Sequence, residues 1–179
     1  MNKTEIRKKI LDIRKKNEVK NLQINFQDIS RILKKFKAVG KIVGGYYPYN
    51  NEVDITKILK EFEKKRYIIS LPKIKNNFQM DFFRWSSKEP LSINKYGIPE
   101  PILGKAINPD ILLVPLVAFD KDFNRIGYGG GFYDRYIKRI KKNKNILTIG
   151  LAYSFQKVKK IQINNNDMKL DFIITNKKN

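Results

Sequence analysis

The chain has 179 residues, 41% of them hydrophobic, and 38 Lys and Arg against 17 Asp and Glu give a formal net charge of +21. It contains neither cysteine nor histidine. That excludes a disulfide framework, thiolate or imidazole metal ligation, and every cysteine- or histidine-based catalytic arrangement.

Length and apolar content fit one globular domain over 1–179. The amino terminus shows no signal-peptide pattern, and no apolar run approaches the ~20 residues of a membrane helix. The expectation is a cytoplasmic protein, without a membrane partner and monomeric. The lysines are spread along the chain beside abundant Asn and Ile. All three are encoded by A/T-rich codons, so compositional drift is a sufficient cause and no nucleic-acid partner is expected. The densest basic run, Lys138 to Lys144, reads as the solvated end of a helix, where cations suit the dipole.

In chain order, a helix is predicted over 2–16, with Asn2 and Glu5 as a capping pair and Ile6, Ile10 and Ile13 inward. Lys3 and Arg7, four apart, share its polar face. A second helix is predicted over 26–37, with Ile29, Ile32, Leu33 and Phe36 inward. Residues 38–47 read as a strand ending at Pro48, followed by the turn P-Y-N-N. Asp54 is the expected N-cap of a helix over 55–65. A short strand, 67–71, closes at Pro72, and 78–85 reads as an antiparallel strand. Residues 86–109 carry four prolines and read as a long functional loop.

Residues 110–119 have the nearly continuous apolar content of a strand buried on both faces, with a break or bulge at Pro115. A glycine-rich turn then leads into a helix over about 132–142. Strands follow at 145–153 and 170–175. Alternation of strand and helix predicts an α/β fold of three layers, a mostly parallel sheet with helices on both faces.

The chemistry concentrates in R-I-G-Y-G-G-G-F-Y-D-R-Y, Arg125 to Tyr136. It follows a buried strand and opens a helix, the place where parallel sheets bind ligands. Unpaired amides and the positive dipole end of a helix suit phosphate there, and the glycines allow close backbone approach. Arg125 adds a forked cationic donor. The segment is neither G-x-x-x-x-G-K-S/T nor G-x-G-x-x-G. A flexible glycine turn is the competing reading. Asp134, in the first helical turn, reads equally as a dipole partner or as a Mg²⁺ ligand.

The run L-L-V-P-L-V-A-F-D-x-x-x-N-R-I-G-Y-G-G-G-F-Y-D-R-Y resembles the signature of the 5-formyltetrahydrofolate cyclo-ligase family. Further pieces fall in the family's order: Lys3 and Arg7 as K-x-x-x-R, Glu52 and Asp54 after the first strand, G-I-P-E-P at Gly97 to Pro101, and N-D-M-K-L-D at Asn166 to Asp171. The resemblance implies the fold type of ribose-5-phosphate isomerase and CoA-transferase relatives. It implies ATP- and Mg²⁺-dependent cyclisation of 5-formyltetrahydrofolate to 5,10-methenyltetrahydrofolate, with ADP and phosphate released and the formyl oxygen phosphorylated on the way.

Carried over, Lys3, Arg7 and the stretch Arg125, Ile126, Gly127, Tyr128, Gly129, Gly130, Gly131, Phe132 and Tyr133 would hold ATP. Tyr128 to Phe132 would also touch the folate, together with Tyr47 and Glu52. Arg125 and Tyr133 would be catalytic, and Asp134 and Asp167 would hold Mg²⁺. Trp85 and Tyr96 are candidate stacking surfaces, or rim aromatics. Phe132 stands where many relatives carry tyrosine, so a hydroxyl is lost there. For a solvated helix face, Lys3 and Arg7 need no function. A basic nucleic-acid-binding protein and a sugar-phosphate or CoA-ester enzyme of the same fold are the competing functional classes.

Overall fold

A computed structural model describes residues 1–17, 19, 22–37, 40–76 and 78–176. Among the described residues, four α-helices, α1 (Lys3–Lys16), α2 (Phe26–Lys35), α3 (Thr56–Lys64) and α4 (Phe132–Ile140), accompany a six-stranded sheet. Its strands are β1 (Ile42–Gly44), β2 (Ile68–Ile74), β3 (Met80–Trp85), β6 (Ile111–Pro115), β9 (Leu147–Ala152) and β10 (Phe172–Thr175). Two small ladders accompany it: β4 (Leu91–Ile93) with β5 (Pro99–Pro101), and β7 (Ala118–Phe119) with β8 (Arg125–Ile126).

The strand order is β10-β9-β6-β1-β2-β3, parallel throughout except for β3, which runs antiparallel to β2. Strand alternation sends side chains to two cores. Ile111 and Leu113 of β6 join Val43, Ile69 and the apolar faces of α2 and α3 on one side. Leu112 and Val114 join Phe82, Ile137 and Ile140 under α4 on the other. A third cluster packs Ile6 and Ile10 of α1 against Val117, Ala118 and Ile126. Thus α1 rests on the small β7–β8 ladder rather than on the main sheet.

The expected three-layer α/β arrangement is therefore present. Among the described residues no helix is long and apolar enough to cross a membrane. The Asn2–Glu5 capping box forms, with Asn2 accepting from the Thr4 and Glu5 amides and Glu5 accepting from the Asn2 amide at 2.9 Å. Asp54, the expected N-cap of α3, stands one residue too early: Ile55 holds the cap position without a side-chain cap bond, and Asp54 accepts from the Thr56 amide at 2.8 Å.

Three further expectations need correction. The strand expected to close at Pro72 runs on to Ile74. In β2 the even residues face β1, as in the pairs Ile68–Lys41 and Ser70–Gly45, and β1 stops at Gly44. The donor that Pro72 lacks therefore points where no strand needs it. Residues 86–109 are not one loop but carry the hairpin β4–β5. The break expected at Pro115 is present: the 110–119 strand ends there and resumes as β7. The first strand keeps only Ile42–Gly44 of 38–47, with 38 and 39 outside the described residues.

Candidate functional site

Three segments leave the carboxyl ends of neighbouring parallel strands and meet: Tyr46–Glu52 after β1, Leu116–Tyr128 after β6, and Tyr153–Gln156 after β9. Such an end is the usual ligand side of an open parallel sheet.

The turn between β7 and β8 is organised by Asp120, which is 1% exposed. Its Oδ1 accepts from the Asp122 and Asn124 amides, and its Oδ2 from the Ile161 amide at 3.0 Å. One buried carboxylate so fixes both the approach to the glycine loop and the start of the C-terminal segment that carries Asp167. Buried Ile126 anchors the loop on α1.

From there Arg7 reaches the loop, its Nε donating to the Gly127 carbonyl at 2.8 Å. Gly129 and Gly131 have φ of 104° and 64°, values that only glycine adopts freely. Gly131 is the N-cap of α4 and supplies no side chain to the first amides of that helix. Those donors point out with the positive end of the dipole. Arg135 folds back on the loop, donating to the Gly130 and Phe78 carbonyls, with its guanidinium 5.4 Å over the Phe132 ring. Phe132 is flanked by Phe78 and Tyr96, each 6.4 Å away between ring centroids.

Beneath the loop, Arg125 is buried and meets Asp134 at 3.1 and 3.3 Å. The closer contact, from Nη2 to Oδ1, is an ion pair not aligned as a hydrogen bond, and the Arg125 Nε has no acceptor. Burial works against this guanidinium's charge, while Asp134 chiefly sustains it. Asp134 also accepts from the Met168 amide at 2.9 Å, which brings the neighbouring Asp167 to the same place. Asp167 in turn pairs with Lys3. A contact between residues 164 positions apart thus brings two cations and two carboxylates, as two ion pairs joined through the Met168 amide, to the start of α4.

Among the described residues no group of three or more acidic side chains gathers as a metal cage. Two carboxylates suit Mg²⁺, which typically takes one or two from the protein and fills its octahedron with phosphate and water oxygens. The donor set at Asp134 and Asp167 fits that ion in the presence of a polyphosphate.

The inner wall holds Glu52, 7% exposed, which accepts from the Tyr49 amide at 2.9 Å. Burial pushes its carboxyl up to about 7, against the pull of the Tyr49 amide and the Arg14 guanidinium. Burial likewise drives the Tyr128 and Tyr133 hydroxyls upward, with the Glu52 charge adding to it, so both stay protonated donors at neutral pH. The Tyr133 hydroxyl is buried with no hydrogen-bond partner among the described residues, as are the Nε atoms of Arg14 and Arg125. Buried groups left unmet in this way mark places a ligand can satisfy.

Tyr47 is 37% exposed, and it is Tyr49 whose ring meets Tyr128, 5.9 Å between centroids. Trp85 packs against the core over β2 and donates to the Glu89 carbonyl, the behaviour of a rim aromatic. Sequence reasoning passed over Arg14, which is 1% exposed and donates to the Tyr128 hydroxyl at 2.9 Å and the Leu116 carbonyl at 2.7 Å. It also passed over Asp120 and Gln156. Gln156 Nε2 lies 2.8 Å from both the Leu116 and Val117 carbonyls.

The model of the 5-formyltetrahydrofolate cyclo-ligase family matches residues 1–176. A 5-formyltetrahydrofolate cyclo-ligase of Haemophilus influenzae is 33% identical over 137 residues, 73% of each chain. Among solved structures, a 5,10-methenyltetrahydrofolate synthetase from Mycoplasma pneumoniae superposes with a TM-score of 0.74 at 30% identity, covering 97% of this chain and 98% of that one. The Aquifex aeolicus 5,10-methenyltetrahydrofolate synthetase gives 0.77 at 33% identity, covering 98% and 90%.

Proposed function

The chain belongs to the 5-formyltetrahydrofolate cyclo-ligase family, and from that premise we propose that it makes 5,10-methenyltetrahydrofolate from 5-formyltetrahydrofolate with Mg–ATP as co-substrate, at the carboxyl ends of β1, β6 and β9. In the proposed reaction the γ-phosphoryl group passes to the formyl oxygen, releasing ADP. The folate 10-nitrogen then attacks the formyl carbon, and phosphate leaves as the ring closes.

The observation that carries this reading is the convergence of the Lys3–Asp167 and Arg125–Asp134 pairs, joined through the Met168 amide, at the uncapped start of α4. Phosphoryl transfer asks a protein for positioning and charge neutralisation more than for a nucleophile. Both nucleophiles here belong to the folate, which accounts for an active chain without histidine or cysteine. Lys3, Arg7, Arg125 and the amides from Gly127 to Tyr133 would bind phosphate oxygens. Asp134 and Asp167 would hold Mg²⁺, which when bound offsets phosphate charge. Arg125 would meet the transferring group, and the Tyr133 hydroxyl would donate to it. Glu52 would accept N–H donors of the pterin, with Tyr47 near the same end and Tyr128 to Phe132 between the two ligands. Phe132 offers a ring face to the folate but no hydroxyl.

Purified protein given Mg–ATP and 5-formyltetrahydrofolate should generate the near-ultraviolet absorbance of the methenyl product. Folded protein that yields no ATP-dependent signal would sink the proposal.

A further inference from the structure

Arg14 stands out among groups that the proposed reaction leaves without a task. It lies in the last turn of α1, yet its side chain is almost wholly buried. Burying a guanidinium is unfavourable, and a well-packed apolar side chain of similar volume commonly stabilises a fold as well or better. Its acceptors are few. Nη1 donates to the Tyr128 hydroxyl, Nη2 to the Leu116 carbonyl, and Nε has no partner. Gln156 already serves the Leu116 carbonyl. Holding the end of β6 therefore does not by itself call for a cation.

What the cation reaches is distinctive. Tyr128 is the outermost large side chain of the glycine loop, 39% exposed, and its hydroxyl turns inward to Arg14. The same hydroxyl lies 3.4 Å from the Tyr49 carbonyl, and the Tyr49 amide binds Glu52. One guanidinium thereby links the loop after β6 with the loop after β1, the two walls of the proposed folate site.

We infer that Arg14 is a positioning residue of the cyclo-ligase reaction, tethering Tyr128 of the glycine loop to the end of β6 beside the Glu52 carboxylate. The inference rests on the proposed function. Its electrostatic side can be stated separately. The groups acting on Glu52 are Arg14 from α1, the Tyr49 amide, and the Tyr128 hydroxyl. Glu52 acts in turn on Tyr46, Tyr133 and Tyr153, while Asp54 faces Tyr153. Arg14 is the cation in that set. Its removal leaves Glu52 to ionise at a higher pH.

The test compares wild type, Arg14→Lys, Arg14→Met and Tyr128→Phe. Turnover is measured from pH 6 to 9 with each substrate varied, and folate binding is titrated without ATP. In Arg14→Met the KM for the folate rises about tenfold, the equivalent of one charge-assisted hydrogen bond, while the KM for ATP stays within about twofold of wild type. Its acid limb of kcat/KM moves to higher pH by about one pH unit. In Arg14→Lys the limb stays in place because the charge remains. The folate KM still rises, since an ammonium cannot fork to both Tyr128 and Leu116. Tyr128→Phe raises the folate KM and, because it removes a hydroxyl that also favours the Glu52 carboxylate, moves the limb to higher pH by less than Arg14→Met does.

A folded Arg14→Met whose limb matches wild type would overturn the inference. If that variant does not fold, Arg14→Lys decides: an unchanged folate KM, or equal rises for folate and ATP, overturns it too. Should wild type bind folate but form no product, the proposed reaction fails, while the pH dependence of folate binding in the same variants still tests the role of Arg14.

Discussion

Glu52→Gln exchanges a buried carboxylate for a neutral amide of nearly the same shape. The folded protein ionises Glu52 at about 7, mainly because of burial, whereas its ordinary value is 4.5. Below 4.5 the group is protonated in both folded and unfolded chains, and its contribution to stability is complete. As pH rises through about 7, the folded state must charge a group its surroundings disfavour, and that contribution is lost. The difference, about 2.5 pH units at about 1.4 kcal/mol each, comes to at most about 3.5 kcal/mol. Glutamine keeps it, because glutamine does not ionise.

At pH 8.5 urea unfolding should therefore show the variant more stable than wild type by about 2–3 kcal/mol, or about 5–10 °C in Tm. At pH 4.5 the gap should shrink to about 0.5 kcal/mol or less. Folate affinity should fall about 10- to 100-fold, the loss of a charge-assisted hydrogen bond. An equal stability difference at both pH values, or none at pH 8.5, would refute the argument that burial holds this carboxyl near neutrality.

Asp134→Asn keeps one oxygen for the Met168 amide but removes the charge that chiefly sustains buried Arg125, so its Tm should fall by about 5–15 °C, while the Mg²⁺ needed for half-maximal rate should rise about tenfold or more. Full activity at wild-type Mg²⁺ would remove Asp134 from the site. Gly129→Ala places a side chain at φ 104°, where it strains the backbone by about 1–3 kcal/mol. There is space beside the Arg7 guanidinium, 3.6 Å from the added carbon. The strain should therefore lower Tm by about 2–12 °C and, as the loop shifts to relieve it, kcat/KM by at least about tenfold; unaltered kinetics would show that the loop does not need this conformation. Phe62→Ala empties a fully buried position of α3 and should lower the unfolding free energy by about 3–5 kcal/mol. A loss under about 1 kcal/mol in urea titration would mean that this core collapses around the gap.

The helices were legible because their signals are local. The Asn2–Glu5 pair and the apolar positions Ile29, Ile32 and Leu33 of α2 lie within a few residues of what they specify. The β4–β5 hairpin was hidden because Pro99 and Pro101 sit in β5, and proline reads as loop until the partner strand is known. Arg14 was hidden by its type. Ile6 and Ile10 are buried one helical turn apart, and the next position of that row is 14 rather than the predicted Ile13, which is only half-buried. A charged residue completing an i, i+4, i+8 apolar row was itself the signal. The family likeness put Glu52 against the folate, but its burial was not legible, because the groups around it, Tyr46, Tyr128 and Tyr153, come from separate segments of the chain.

The lysine-rich composition and the organised site obey different rules. Surface lysines such as Lys64, paired with Glu61 at 72% and 41% side-chain exposure, add little to stability. In the site, each cation is committed through geometry: Arg7 to Gly127, Arg14 to Tyr128, Arg125 to Asp134, Lys3 to Asp167. Three of the four reach across from α1, whose inner face packs on the β7–β8 ladder and not on the main sheet. The placement of α1 therefore sets the charge of the site, and its Asn2–Glu5 cap, by fixing where the helix starts, also fixes where Lys3 stands relative to Asp167. A change that loosened the cap would act on the site through the register of one helix, without touching the glycine loop.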